Sequence, residues 1–342
     1  MPAPDQHPDP TPDPIPDPAP DPAPDSAPAA GRAGGGSGVL LSVIVPVWRQ
    51  WPLVRLLLGR LAAQTLPAAR FEIILVNNEP ALPAPDLGLG PGSDLGPSLR
   101  IVEAAAPGSY AARNAGAAAA RGAWLVFTDA DCLPEPGWLA AYAAAIDAET
   151  AGEAGGEAAA GEAAGGGILA GPVRMVAPPD PDPWAIYDVV RGIPQARYVA
   201  RGYATTANLA VAGTVFRAVG GFEPDRFSGG DAVFCRRAGR LGHRVRLVAA
   251  AVVAHPARAG REESVTKARR IKGGQIARGP LPRRLAWTIR SLCPPLRDTA
   301  AYLASPEPLA WRLVAVRTRF RLWLVELAEL ARLLAGGDPE RR

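Results

Sequence analysis

Cysteine is scarce in this chain. Its 342 residues include only Cys132, Cys235 and Cys293, an odd number at wide spacing. Such a set supports neither a disulfide framework nor a cysteine-based zinc cluster. It fits a reducing compartment best, and we therefore expect the protein to be cytoplasmic.

Long apolar runs are also lacking. No stretch reaches the roughly 18 uncharged apolar residues that a membrane-spanning helix requires. Even the Trp- and Leu-rich C-terminal segment is interrupted by Arg312, Arg317, Arg319 and Arg321. The first residues show neither the basic start nor the apolar core of a secretory signal peptide. We predict a protein that does not span a bilayer.

Acidic residues are unevenly distributed, so the small net charge of the whole chain does not reveal how basic its C-terminal part is. The net charge is +4, yet residues 1–38 carry six aspartates against the single Arg32. The rest of the chain is therefore the more basic part, and much of its excess follows Arg258. This charge favours an anionic partner such as a phospholipid surface or a phosphorylated substrate. No nucleic-acid recognition motif accompanies it, so we predict no nucleic-acid partner.

Composition divides the chain into three parts. Residues 1–38 are rich in Pro, Asp and Gly and are predicted to be a disordered tail. Residues 39–260 are predicted to form one α/β domain, interrupted by a low-complexity Gly/Ala/Glu insertion at 151–167. Residues 261–342 are basic, with apolar residues at helical spacing, and are predicted to form amphipathic helices.

Strand and helix patterns alternate through the middle part. Apolar runs predict strands at 41–47, 71–76, 99–102, 125–128, 168–176, 208–211 and 246–254. Helical spacing predicts helices at 110–120, 138–147 and 228–241, among others. The alternation predicts a mostly parallel, doubly wound sheet flanked by helices, with its switch point near the first strand. Loops after the first, second and fourth strands, including Pro46, Val47 and Asn77, would then line one crevice that suits a nucleotide.

Two carboxylates follow the fourth strand directly. Asp129 and Asp131 come after the buried run at 125–128, at the edge of the sheet where α/β proteins bind ligands. Hard oxygen ligands suit a divalent cation that also contacts phosphates. The alternative is a solvated turn in which Asp131 caps the helix after Pro136–Gly137.

Taken together, these motifs resemble the family 2 glycosyltransferases, which have the glycosyltransferase-A fold. The resemblance runs from about Ser42 to Arg258. The segments that carry it are Ser42–Val47, Phe71–Asn78, Ala111–Gly116, Phe127–Asp131, Gly220–Phe222 and Ser228–Arg237. The resemblance implies that Asp129 approaches the ribose of a nucleoside-diphosphate sugar and that Asp131 binds Mg²⁺ or Mn²⁺ at its diphosphate.

The resemblance also implies a catalytic base, for which Asp231 is the candidate. It follows two glycines that allow close backbone approach, and the positive end of its helix would lower the pKa of the carboxyl. Relatives often have Glu-Asp here, but Gly230 replaces the Glu, so a second carboxylate role is in doubt. The alternative is an N-cap in which Asp231 accepts from the amide of Val233 or Phe234.

Four further residues have a binding and a structural interpretation. Asn77 stands where relatives often have an Asp that contacts the nucleotide base, but it could be a turn residue. Arg113 and Asn114, near the start of a helix, could meet the nucleotide, whereas Arg113 could equally be a surface ion-pair partner. His255 resembles a late histidine that completes metal coordination in some relatives, although a lone histidine is often structural.

The C-terminal region offers a similar choice. Arginines gather near Trp287, and apolar residues from Leu309 to Leu330 follow three- and four-residue spacing. Such a helix could lie on an anionic membrane, peripheral to its inner face, where lipid-linked acceptors are found. It could instead pack on its own catalytic domain or on a second subunit.

These observations predict an inverting glycosyltransferase. It would move a sugar from a nucleoside-diphosphate sugar to a hydroxyl-bearing glycan or lipid-linked acceptor by metal-assisted single displacement. One alternative is a non-catalytic scaffold that binds sugar nucleotides or glycans at a membrane. Another is a sugar nucleotidyltransferase, which would need a Gly-rich phosphate loop where this chain has Val47–Trp51.

Overall fold

A computed structural model describes residues 39–79, 81–87, 95, 98–155, 167–226, 228–276 and 280–339. The predicted tail at 1–38 lies outside these residues, as does 156–166 of the predicted insertion. Within the described ranges the strands are β1 Leu41–Val47, β2 Phe71–Asn77, β3 Leu99–Glu103, β4 Trp124–Thr128, β5 Leu133–Pro134, β6 Ile168–Ala170, β7 Val173–Val176, β8 Asn208–Ala212, β9 Val245–Leu247 and β10 Val253–Pro256.

Seven strands form one sheet in the order β3-β2-β1-β4-β8-β6-β9. β1 pairs in parallel with β2 on one side and with β4 on the other, so the strand order reverses beside β1 as predicted. β8 runs antiparallel to both β4 and β6. The predicted doubly wound sheet is therefore confirmed, with an antiparallel strand inserted at β8.

Helices cover both faces of this sheet. In chain order they are α1 Trp51–Ala62, α2 Ser109–Ala119, α3 Trp138–Gly155, α4 Pro183–Arg191, α5 Gln195–Val199, α6 Gly213–Val219, α7 Gly230–Arg240, α8 Arg261–Ile276, α9 Leu281–Leu292, α10 Leu296–Leu303 and α11 Leu309–Leu334. Every residue of β2 is buried, because one apolar cluster lies under α1 and α3 and another under α2, α6 and α7. Strands buried on both faces explain the uninterrupted apolar runs of the sequence.

Two predicted strands are each divided between two sheets. The run 168–176 forms β6 and β7, and the run 246–254 forms β9 and β10; β7 and β10 join β5 in a small second sheet. The break in the first run is at Gly171, where an added Cβ would lie 1.9 Å from the carbonyl oxygen of Ala251. The two segments can approach this closely only without a side chain.

Helix α3 is longer than predicted. It runs to Gly155 rather than ending at 147, so the first residues of the predicted insertion are helical. Alanine and glutamate, both good helix formers, are frequent in this stretch and allow the extension.

The C-terminal helices pack on the rest of the chain. Tyr187 and Val190 of α4, Ala268 of α8, Tyr302 of α10, and Ala315 and Leu322 of α11 form a third apolar cluster. The buried side of α11 includes Ala315 and Leu322, whereas Leu309 and Leu313 of the predicted apolar stripe are exposed. Packing of α11 on its own chain thus holds, and of the predicted stripe Leu330 is buried and Val316 packs against this cluster. Among the described residues, no helix is both long and apolar enough to cross a membrane.

Candidate active site

The carboxyl ends of β2, β1 and β4 lie side by side at one edge of the main sheet. Val47 pairs with Asn77 at the ends of β1 and β2, and Asp129 follows the last residue of β4. β10 brings a fourth segment to this edge, because Ala254 pairs with Leu133 just beyond Asp131. The neighbouring residue His255 is thereby placed next to the two aspartates.

Asp129, Asp131, Cys132 and His255 form a compact group of polar side chains. One ligand atom from each lies within 4.8 Å of every other, and His255 Nε2 is 3.6 Å from Asp131 Oδ2. Burial raises the pKa of Asp131, with a further rise from Asp129, while His255 and Arg258 act in the opposite direction. Asp131 makes none of the hydrogen bonds at the start of α3, where Gln64 Oε1 accepts from the Leu139 amide. The capping alternative for Asp131 therefore does not hold.

The side-chain types of this group suit a divalent cation. His255 is buried, and its Nδ1 lies 2.8 Å from the carbonyl oxygen of Pro256. A carbonyl only accepts, so Nδ1 donates to it, and Nε2 is the ring nitrogen that faces Asp131. Cys132 is different, because burial, with the charges of Asp129 and Asp131, raises the pKa of its thiol well above the ordinary value. Two carboxylates and an imidazole are thus the groups that could hold a metal ion.

Arg113 is buried beneath these carboxylates rather than exposed. Its Nη2 donates to Asp129 Oδ1 at 2.5 Å, and its guanidinium carbon lies 5.5 Å from the centre of the Tyr110 ring. The interpretation of Arg113 as a surface ion-pair partner is therefore wrong. Because the guanidinium fixes one oxygen of Asp129, the second oxygen of that carboxylate remains available to a ligand.

Asp231 lies in the first turn of α7, and the charges of Arg113 and Asp129 act on its carboxyl. The N-cap is Gly229, and the amide of Val233 donates to its carbonyl, so Asp231 is not the N-cap. Its Oδ1 accepts from the amide of Ala232 at 2.9 Å and from Tyr110 Oη at 3.4 Å. Burial raises the pKa of Asp231 despite the bond from Ala232 and the charge of Arg113. We expected the helix end to lower this pKa, and desolvation outweighs it.

Tyr110 explains the glycine that precedes Asp231. The amide of Gly230 donates to Tyr110 Oη at 2.9 Å, and a Cβ at position 230 would lie 2.7 Å from the tyrosine ring. Tyr110 therefore occupies the space that a side chain at position 230 would need. Sequence reasoning did not select Tyr110, because nothing in its local sequence indicates contact with a residue so far along the chain.

Three residues assigned to the nucleotide have structural contacts instead. The Asn77 amide donates to the Leu82 carbonyl and accepts from the Glu79 amide, as a turn residue does. Asn114 holds both the amide and the carbonyl of Phe222, which fixes the Gly220–Phe222 turn. The side chain of Val47 is fully buried in the core. Pro46 is half-buried at the end of β1. The side chains of Asn77 and Asn114 thus hold turns, and that of Val47 packs in the core.

Comparison with known proteins gives concordant results. Residues 42–163 match the sequence model described as glycosyl transferase family 2. Glycosyltransferase AglE of Haloferax volcanii is 28% identical over 236 residues, covering 69% of this chain and 72% of that protein.

Solved structures are similar at lower identity. Mannosyltransferase PcManGT from Pyrobaculum calidifontis, in complex with GDP-Man and Mn²⁺, is 19% identical with a TM-score of 0.50, and the match covers 86% of both chains. S. aureus TarS 1–349 in complex with UDP-GlcNAc is 15% identical with a TM-score of 0.46, over 86% of this chain and 81% of that one. The likeness to PcManGT identifies the fold as glycosyltransferase-A. Residues 42–163 are thus a region of the glycosyl transferase family 2 type, and the chain is a glycosyltransferase.

Proposed function

We propose that this enzyme transfers a sugar from a nucleoside-diphosphate sugar to a hydroxyl group with inversion at the anomeric carbon. The observation that carries the proposal is the short distance between Asp131 and His255, beside the ion pair of Arg113 with Asp129 and near the Asp231 carboxyl. GDP-Man and UDP-GlcNAc are bound by the similar proteins PcManGT and TarS, which supports a donor of this class.

The donor half of the reaction uses the carboxylates after β4. Asp131 and His255 would hold Mg²⁺ or Mn²⁺, and the bound ion would neutralise charge on the departing diphosphate. Asp129, held by Arg113 at one oxygen, can accept from a ribose hydroxyl with the other. Pro46 and the backbone at the ends of β1 and β2 would border the nucleoside.

The acceptor half uses Asp231. As the acceptor oxygen forms its bond to the anomeric carbon, the bond from that carbon to the diphosphate oxygen breaks, and the acceptor proton passes to a carboxylate oxygen of Asp231. A raised pKa makes this carboxylate a better proton acceptor than an exposed aspartate. Tyr110 restricts its orientation through the bond to Oδ1.

The acceptor we propose is a hydroxyl-bearing glycan or lipid-linked molecule at a membrane surface. Helix α9 exposes Leu281, Leu285 and Ile289, which share one face at four-residue spacing, with exposures of 72%, 57% and 58%. No acidic residue occurs between Glu263 and Asp298. An apolar stripe within a purely basic segment is typical of helices that lie on anionic bilayers. The membrane contact thus belongs to α9 rather than to α11.

Donor binding tests the proposal most directly. We expect Mn²⁺ or Mg²⁺ to increase the rise in melting temperature that UDP-, GDP- or dTDP-sugars give the wild type, because a ligand that binds the folded state stabilises it. Asp131→Ala should abolish this shift, while Asp147→Ala, at an exposed position on α3, should keep it. If no nucleotide sugar stabilises the wild type, the donor site is wrong. Stabilisation without transfer to any acceptor would favour the non-catalytic scaffold.

A further inference from the structure

Cationic side chains crowd the region between α4, α8 and the candidate active site. Three of them surround one buried carboxylate: Asp188 lies 3.7 Å from Arg191, 3.4 Å from Arg258 and 4.0 Å from Lys267. We call Arg191, Arg258, Lys267 and Arg270 the cationic cluster. Its positive charge exceeds what Asp188 can balance, and like charges held this close repel one another unless an anion lies among them.

Arg270 is the member with the least compensation. In the part of the chain that the structure describes, it forms no ion pair, and its buried Nε has no hydrogen-bond partner. Burial and the charge of Arg258 lower its pKa, Tyr110 and Asp129 raise it, and Arg113 lowers it again. Charges of both the cationic cluster and the candidate active site therefore act on Arg270.

Lys267 shows the same excess of positive charge. Burial and the neighbouring Arg191 and Arg258 lower its pKa to about 7, although Asp188 acts in the opposite direction. A lysine that is so readily deprotonated would regain its proton if an anion were bound beside it.

We propose that the cationic cluster is a phosphate-binding subsite bordering the active site, with Arg270 as its principal ligand. The inference rests on the proposed function, in which the donor carries a diphosphate and a lipid-linked acceptor is a second candidate source of phosphate. A guanidinium presents its donors in a planar fork that matches phosphate oxygens. A bound phosphate would give the orphaned Nε of Arg270 a partner and would balance the charge that Asp188 leaves over.

The first test is binding of inorganic pyrophosphate in EDTA, so that no metal contributes. We expect pyrophosphate to stabilise the wild type and Arg270→Met to weaken its binding about tenfold or more, the loss typical of a charge-assisted hydrogen bond. Arg321→Met, at an exposed position on α11, is the matched control and should bind as the wild type does. Equal binding by Arg270→Met and wild type would overturn the proposal.

The ligand-free proteins give an independent readout. Arg270→Met removes a partly buried charge that Arg113 and Arg258 repel, so the melting temperature without ligand should equal or exceed that of the wild type. An arginine that serves only the fold would, when replaced, lower it. Arg270→Lys keeps the charge but loses the planar fork, so pyrophosphate binding should be intermediate. A destabilised Arg270→Met protein together with unimpaired binding by Arg270→Lys would contradict the assignment.

Two further titrations identify the source of the phosphate. With Mn²⁺, UDP and GDP report the donor, and decyl phosphate compared with decanol reports a phosphorylated acceptor. Weaker nucleotide binding by Arg270→Met assigns the subsite to the donor, and loss of the preference for decyl phosphate assigns it to the acceptor; no effect on either rejects the subsite. Asp131→Ala should lose metal-dependent nucleotide binding yet keep metal-free pyrophosphate binding, which separates failure of this inference from failure of the proposed function.

Discussion

The carboxyl of Asp231 has opposing requirements in folding and in catalysis. Removal from water raises its pKa, and the amides of Ala232 and Thr206 with the charge of Arg113 compensate only in part. The folded protein therefore holds a proton at this position more tightly than the unfolded chain does. Ionised Asp231, the form that can act as a base, is thus a cost to folding.

Replacement of Asp231 should separate these two properties. Asp231→Asn should lower kcat by about 10²-fold to 10⁴-fold, the usual contribution of a general base. Above the unfolded-state pKa, wild-type stability is reduced by the ionised carboxyl, and this reduction disappears as the pH falls below that value. Asp231→Asn should therefore be at least as stable as the wild type at about pH 7, and the advantage should vanish by about pH 3.

Melting temperatures measured across this pH range, with a transfer assay at neutral pH, check the prediction. Asp147→Asn, at the exposed site on α3, is the control and should leave both quantities unchanged. A variant that is inactive and also less stable than the wild type at neutral pH would argue that Asp231 is a structural residue.

At the scale of secondary-structure elements, Asn208 joins the two sheets beneath the site. The side chain is fully buried at the start of β8. Its Oδ1 accepts from Trp138 Nε1 and Tyr142 Oη, and its Nδ2 donates to the carbonyls of Pro172 and Ala251. Asn208 thus connects α3 and β8 with the turns that precede β7 and β10.

We expect Asn208→Ala to lower the free energy of unfolding by about 3–5 kcal/mol, since it leaves several buried polar groups without partners. The position of His255 on β10 depends on the same contacts, so affinity for Mn²⁺ should fall as well. Urea denaturation and metal titration of the folded variant measure the two effects. Thr65→Ala, which removes an exposed hydroxyl that donates to the Pro136 carbonyl, should change neither by much. An equally large effect there would show that the loss is not specific.

Strands that depend on local sequence could be predicted, whereas strands that depend on distant contacts could not. β1, β2 and β4 are continuous apolar runs whose burial is evident locally, and their order around β1 follows from general rules for α/β sheets. The division of 168–176 and 246–254 into separate strands depends on Gly171 meeting the carbonyl of Ala251. Contact between residues so distant in sequence leaves no periodic signal.

The residues of the candidate site could also be predicted only in part, because some of their contacts join distant segments. Asp129 and Asp131 follow a recognisable strand, and the resemblance to a family adds Asp231 and His255. Arg270 belongs to a helix whose pattern does not tell which side faces the crevice. Asn77 and Asn114 have residue types suited to ligand binding, but amides serve turns equally well, and only the fold decides between the two uses.

At the scale of the whole molecule, the exposed apolar stripe of α9 lies within a basic C-terminal segment. Together they suit contact with an anionic membrane. We predict that the protein floats with vesicles containing an anionic phospholipid and much less with neutral ones. Leu285→Ser with Ile289→Ser should reduce flotation strongly, because each removes apolar area from the bilayer contact. Salt should weaken binding, since part of it is the attraction of arginines to the headgroups.

Leu324→Ser is the control for this experiment, because Leu324 is similarly exposed but lies on α11. It should float as the wild type does. Equal loss in both variants would mean that no particular face of the C-terminal helices contacts lipid.

The contact between Tyr110 and Gly230 also limits how this enzyme can change over generations. Any side chain at position 230 collides with the tyrosine ring, so a mutation there is harmful until position 110 has first become smaller. Loss of the ring, however, removes a hydrogen bond to Asp231. This chain can therefore acquire a second carboxylate at position 230 only through an intermediate that is less stable or less active, and we expect positions 110 and 230 to vary together.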